Sequence, residues 1–140
     1  MNCYYCNDRE KLNSLMIPIC ELRTSKAYLF RDQKYRGKCI VVFNEHKTEL
    51  FQLTPTQQCD FIQDVADVAD AINKLFYPNK INYAIYGDVV SHLHVHVTPK
   101  YIDGPQWGMP FRDDPKPLLL SEEEYNRAVS KIKELICVKK

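Results

Sequence analysis

With 140 residues the chain is the size of one domain, long enough to bury roughly 68–70% of its unfolded surface around a single core. Apolar residues make up 45% and charged residues 26%, an ordinary globular balance that excludes disorder. Lys and Arg number 19 against 18 Asp and Glu, a formal charge of +1, so no basic field steers the protein onto nucleic acid or an anionic membrane.

In chain order, the opening residues MNCYYCNDRE contain no apolar stretch, and no apolar run approaches the ~20 residues a bilayer needs. A soluble, cytoplasmic chain is therefore expected, with its six cysteines held as reduced thiols rather than as a disulfide framework. Ile17 to Leu22 and Ala27 to Phe30 read as short strands joined by a turn at Arg23–Lys26, and Gln33 to Gly37 as a loop with Gly37 as its flexible point. Cys39 to Phe43 is an unbroken apolar run, the mark of a strand buried on both faces. Thr54, Pro55 and Gln57 form the N-cap, first-turn proline and capping box of a long helix. Its apolar stripe is Phe61, Ile62, Val65, Val68, Ala69, Ile72, Leu75 and Phe76, and Pro78 closes it. Ile81 to Tyr86 reads as a strand, Gly87–Asp88 as an interruption, and Val90 to Thr98 as a further strand. Asp103 to Pro117 is an irregular loop, followed by a C-terminal helix that Ser121 and Glu124 cap and Tyr125, Ala128, Val129, Ile132, Leu135 and Ile136 stripe. The pattern predicts an α+β domain: an antiparallel sheet of about five strands, one long helix and a C-terminal helix.

His92-Leu-His-Val-His-Val-Thr98 alternates strictly. Side chains at i, i+2 and i+4 of a strand share one face, so His92, His94 and His96 point one way and Leu93, Val95 and Val97 point into the core. Two kinds of chemistry compete for three aligned imidazoles: a metal site, or direct work on a substrate. With about 3.3 Å of rise per residue, the Cα atoms of the outer two lie roughly 13 Å apart, whereas a metal–nitrogen bond is about 2 Å. One ion cannot take all three from an ordinary strand, so they divide their labour. Neutral imidazole is a nucleophile near neutral pH. Attack on a phosphoryl centre gives a covalent phosphoramidate, and a second histidine two residues away can stabilise phosphate oxygens or assist the leaving group.

Cys3-Tyr-Tyr-Cys6 has the C-x₂-C spacing of a zinc knuckle, and equally that of a redox pair or two surface thiols. No second C-x₂-C exists, so further ligands must come from elsewhere, and His46 is the one histidine outside the alternating strand. Cys20, Cys39, Cys59 and Cys137 have no partner spacing.

The segment from Asn82 to Pro99 resembles the signature of the histidine triad (HIT) family, in the branch labelled diadenosine tetraphosphate hydrolase-like. Leu29-Phe-Arg-Asp32, Gly37 to His46 and Trp107-Gly-Met-Pro110 resemble other family segments in the expected order, so the likeness runs from Cys3 to about Phe111. It implies one HIT-like domain over residues 1–140, with 1–111 as the family core and 112–140 as a C-terminal extension. It further implies a homodimeric nucleotide hydrolase or nucleotidyl transferase acting on an adenosine polyphosphate or phosphoramidate. His94 would be the nucleophile that takes the nucleoside monophosphate, His96 would assist departure, Asn82 would contact phosphate, Asp32 would face the ribose hydroxyls, and Trp107 would close the site. Cys3, Cys6, His46 and His92 would bind one structural zinc per chain. The sequence departs from the family at Asp88, where an amide is usual. A carboxylate there repels phosphate unless it is protonated or turned away, and is expected to weaken or re-tune turnover. Two other functions fit the same residues: a hydrolase that uses zinc on the histidine strand, and a nucleotide-binding regulatory module with feeble turnover.

Overall fold

Five strands form one antiparallel sheet in the computed structural model, which describes residues 3–113 and 116–139. They are β1 (Met16–Glu21), β2 (Ser25–Phe30), β3 (Cys39–Phe43), β4 (Lys80–Ala84) and β5 (His94–Lys100), in the order β1-β2-β3-β5-β4. The last hairpin folds back so that β5, the histidine strand, lies inside the sheet between β3 and β4. All five residues of β3 are buried, as an apolar run covered on both faces requires.

Four helices accompany the sheet: α1 (Tyr4–Asn7), α2 (Arg9–Leu15), α3 (Pro55–Phe76) and α4 (Glu122–Lys139). The capping signals are realised in atoms. Gln57 N donates to Thr54 Oγ1 at 3.1 Å and Thr54 N to Gln57 Oε1 at 3.0 Å. Ser121 and Glu124 repeat the arrangement before α4. Tyr77, in the left-handed region at φ 51°, ends α3 one residue ahead of Pro78. One face of the sheet packs on α3 and α4: Phe61, Val68 and Ile72, with Tyr125, Ile132 and Ile136, meet Leu29, Val41, Leu93, Val95 and Val97. Each such fully buried side chain is worth about 1.5–3 kcal/mol. The opposite face carries a smaller cluster of Leu12, Met16, Tyr28, Ile40 and Val42 beside α1 and α2. No helix among the described residues is long and apolar enough to cross a membrane.

Several bounds differ from the sequence expectation. The predicted strand Val90–Thr98 begins only at His94 and runs on to Lys100, because residues before it leave the ladder: Leu93 N donates to Lys47 O and Phe43 N to Leu93 O. The predicted strand Ile81–Tyr86 ends at Ala84, and Ile85 and Tyr86 lie beyond the ladder, each partly exposed. Ile62, expected on the buried stripe of α3, is exposed, whereas Asp64 and Asp67 are buried. The Asp64 carboxylate accepts from Arg23 N, Thr24 N and Ser25 Oγ at 2.8–3.1 Å and pairs with the Arg23 guanidinium, tying the β1–β2 turn to α3. Gly37 does more than flex: at φ 92° a Cβ on it would meet the Phe76 ring at 2.6 Å. The two short N-terminal helices are additional to the predicted pair. Part of the predicted Asp103–Pro117 loop and the side chain of Cys137 fall outside the described residues.

Candidate active site and metal centre

Cys3 caps the single turn of α1 and Cys6 lies within it, and Cys6 N and Asn7 N both donate to Cys3 O at 3.0 and 2.9 Å. That turn brings the thiols to His92, just ahead of β5. His92 Nε2 lies 2.7 Å from the Phe43 carbonyl oxygen; a carbonyl only accepts, so Nε2 carries the proton and Nδ1 presents its lone pair. His92 Nδ1 is 3.5 Å from Cys3 Sγ, 3.4 Å from Cys6 Sγ and 3.2 Å from His46 Nδ1, and Cys6 Sγ is 3.4 Å from His46 Nδ1. All four atoms lie within 4.8 Å of one another, and among the described residues this is the one such group that could hold a metal ion. A tetrahedron with metal–sulfur bonds of about 2.3 Å and metal–nitrogen bonds of about 2.0–2.1 Å has nitrogen–nitrogen edges of about 3.3 Å and nitrogen–sulfur edges of about 3.6 Å. The four spacings among His92, His46 and the two thiols given above match those edges within about 0.2 Å.

The sheet register places His94 opposite Val42 and His96 opposite Ile40 on the face away from the main core. His94 Nδ1 lies 2.6 Å from the His92 carbonyl oxygen, which makes Nδ1–H the donor and leaves Nε2 with a free lone pair. Burial, and then the Lys38 ammonium, hold the His94 imidazole below the ordinary histidine range, against the opposing pull of that hydrogen bond. Burial, followed by Lys38 and His94, pushes His96 down to about 3. Both rings are therefore neutral at pH 7. Their centroids are 5.1 Å apart. Tyr5 sits 5.4 Å from the rings of both His92 and His94, and Phe111 and Tyr86 lie 5.0 and 5.6 Å from His96. His94, His96 and these aromatics line a cavity of about 430 Å³ together with Asp88, Arg112 and Asp113, a volume in the range of small-ligand sites.

The remaining expected residues are spread more widely. Asp88 is exposed at the cavity wall. Asn82 and Trp107 line a second, larger cavity of about 730 Å³, which shares Tyr86 and Phe111 with the first. The Trp107 loop is held down by Lys100, whose ammonium donates to the carbonyls of Gln106 and Met109. Asp32 lines neither cavity; its Oδ1 accepts from Lys34 N at 3.1 Å and Leu118 N at 3.0 Å. The aromatic wall residues escaped the sequence reading: Tyr4 and Tyr5, which sit between the two cysteines, and Tyr86 and Phe111. So did Lys38, buried beside the site. Tyr4 and Tyr5 had a signal, since anything between the two cysteines is carried wherever the thiols go.

A family model for the HIT domain matches residues 19–103. The match holds His46, Asn82, Asp88 and all three alternating histidines, while Cys3, Cys6 and Trp107 lie outside it. A histidine triad (HIT) protein from Sinorhizobium meliloti 1021 is 30% identical and has a TM-score of 0.82, covering 89% of this chain and 93% of its own. A zinc-bound histidine triad family protein from Mycobacterium smegmatis shares the fold at 20% identity and a TM-score of 0.68, covering 99% and 96% of the two chains. An uncharacterized HIT-like protein of Methanocaldococcus jannaschii is 25% identical over 79 residues. That match takes in 54% of this chain and 61% of the relative, less than two thirds of the relative's length.

Proposed function

The chain belongs to the HIT domain family, and on that premise we propose that it cleaves nucleotides at the α-phosphate through a covalent nucleotidyl-His94 intermediate. One observation carries this reading: the His94 Nδ1–H is committed to the His92 carbonyl, which aims a lone pair on Nε2 into a cavity of nucleotide size. Attack forms an Nε2–phosphorus bond and breaks the bond from phosphorus to the leaving group, which departs with the electron pair. The imidazole becomes cationic, and the hydrogen bond from Nδ1 to the carbonyl steadies that charge. Water then attacks phosphorus, the nitrogen–phosphorus bond breaks, and nucleoside monophosphate leaves as a proton is released to solvent; an alcohol in place of water makes the reaction a transfer. His96, neutral beside the site, donates a hydrogen bond to a phosphoryl or bridging oxygen. Tyr4, Tyr5 and Phe111 supply aromatic faces for the nucleoside. Asn82 and Trp107 belong to the larger cavity, into which a leaving group extends. Among family branches, the diadenosine tetraphosphate hydrolase-like one remains the assignment we favour. Hydrolysis in ¹⁸O-labelled water tests the point of attack. The expected result is label in the released monophosphate alone; label in the leaving fragment contradicts attack at the α-phosphate.

Cys3, Cys6, His46 and His92 are proposed to hold one zinc, a reading supported by the donor set, its tetrahedral spacing and a zinc-bound protein of the same fold. With four protein ligands no position is left for water, so the ion supplies a cross-link between the N-terminal turn, the end of β3 and the start of β5.

A homodimer is the proposed assembly. β4 is an edge strand, and Tyr83 and Ile85 on or beside it stand exposed with Ile62 of α3 around one apolar groove. An uncovered apolar edge strand is a pairing site. Sedimentation equilibrium is expected to give twice the chain mass for wild type and a monomer for Ile85→Glu; a wild-type monomer contradicts this assembly.

A further inference from the structure

Across the sheet face that bears His94 and His96, the next row is Phe30, Lys38, Thr98 and Asn82. Phe30 N donates to Lys38 O at 3.0 Å, the Cys39–Val97 pair brings Lys38 level with Thr98, and Thr98 pairs with Asn82. Diagonal neighbours across a sheet lie about 7–8 Å apart, within reach of a long side chain, so Lys38 commands the ground beside His96. Lys38 is 1% exposed and Thr98 0%. The Lys38 ammonium sits 4.5 and 4.0 Å from the ring centroids of Phe30 and Phe111, and its carboxylate neighbour, Asp113 Oδ1, is 3.9 Å away. Thr98 Oγ1 and His96 Nδ1 are buried with no hydrogen-bond partner among the described residues.

A buried ammonium is costly unless something charged answers it. Among the described residues the answer is two aromatic faces, the exposed Asp113 carboxylate at 3.9 Å and the more distant field of Asp32, and a hydroxyl and an imidazole nitrogen on the same face are unmatched. A cation and a hydroxyl on one face are a donor pair for an anion. Phe111, whose ring covers the ammonium, lines both cavities, so Lys38 and Thr98, which line neither, lie behind a wall that the two cavities share, and an anion reaches the ammonium only where that ring gives way.

We propose that Lys38, with Thr98, binds the phosphate of the leaving group, and so selects nucleoside polyphosphates over phosphoramidates. The inference rests on the nucleotidyl-His94 mechanism. When His94 attacks a polyphosphate, the bond between the α-phosphorus and the bridging oxygen breaks with its electron pair on that oxygen, and the leaving phosphate gains one negative charge. An ammonium placed there stabilises it in the transition state. When a phosphoramidate reacts, the phosphorus–nitrogen bond breaks and the amine takes up a proton as it leaves, without gaining negative charge. The cation then offers little.

The test compares kcat/KM for diadenosine tetraphosphate and for adenosine phosphoramidate in wild type, Lys38→Met, Lys38→Arg and Thr98→Val. For Lys38→Met the tetraphosphate-to-phosphoramidate ratio is expected to fall about thirtyfold, largely through kcat for the tetraphosphate. Lys38→Arg should restore most of the ratio, and Thr98→Val should lower it about threefold. A ratio unchanged in all three variants, or both substrates falling together, makes Lys38 a prop for the Phe111 ring and overturns the proposal. Should Lys38→Met fail to fold, the ratios of the other two variants decide. A wild type that transfers nucleotide from neither substrate overturns the mechanism itself, and with it this inference.

Discussion

His94→Ala is expected to lower nucleotide turnover by on the order of 10⁴-fold or more, the loss seen when a covalent nucleophile is removed, which corresponds to about 5.5 kcal/mol of transition-state stabilisation. The size follows from how completely the site commits to this ring. Its Nδ1–H is fixed on a backbone carbonyl 2.6 Å away, its partner face meets Tyr5, and burial with Lys38 keeps its lone pair free of a proton at neutral pH. In this reading His96 does not substitute, because it presents its one N–H rather than a lone pair to the phosphate, and it is packed between Phe111 and Tyr86. The protein should still fold and bind nucleotide, since His94 lies outside both apolar clusters and alanine loses only its ring contacts with Tyr5 and His96. Steady-state release of adenosine monophosphate from diadenosine tetraphosphate measures the effect, and a loss of less than tenfold would count against His94 as nucleophile.

Cys3→Ser is expected to have the larger effect on the fold. Metal analysis of wild type purified without chelator should find about one zinc per chain, and the variant close to none. At free zinc a thousandfold above its Kd the bound ion stabilises by about 4 kcal/mol, so Tm should drop on the order of 10 °C in a chain of this size. Activity should fall as well, for a geometric reason. Tyr4 and Tyr5 lie between the two thiol ligands and form one wall of the His94 cavity, so releasing the turn removes that wall. A wild type that is folded, active and free of metal would refute the zinc assignment.

Much of this architecture is written in local patterns. Alternation placed Leu93, Val95 and Val97 in the core, the two capping boxes marked the starts of both long helices, and the C-x₂-C spacing singled out two thiols that converge with His46 and His92. What escaped has physical causes. The turn of α1 and the seven residues of α2 are too short to show a helical period. Asp64 and Asp67 break the rule that charges face solvent because Arg23, more than forty residues earlier, answers them. Lys38 precedes a buried strand, a place where lysine ordinarily reaches water; its burial depends on Phe30 and Phe111 closing over it from distant parts of the chain. Asp32 sits in a family-like segment, yet backbone amides of Lys34 and Leu118 engage its Oδ1. Motif spacing reveals which side chains can meet, and long-range packing decides which of them do.

The central claim is a covalent bond to one nitrogen. The most direct measurement is a rapid denaturing quench of the wild-type protein during turnover of labelled adenosine polyphosphate, followed by peptide mapping. The account requires adenosine monophosphate attached to His94, an adduct that still forms when a chelator is present and the fold is retained, and that is absent in His94→Ala. Turnover without any adduct, abolished by chelation of a folded protein, would instead assign the chemistry to metal on the histidine strand. Nucleotide binding with neither adduct nor turnover would make the protein a binding module and contradict the claim outright.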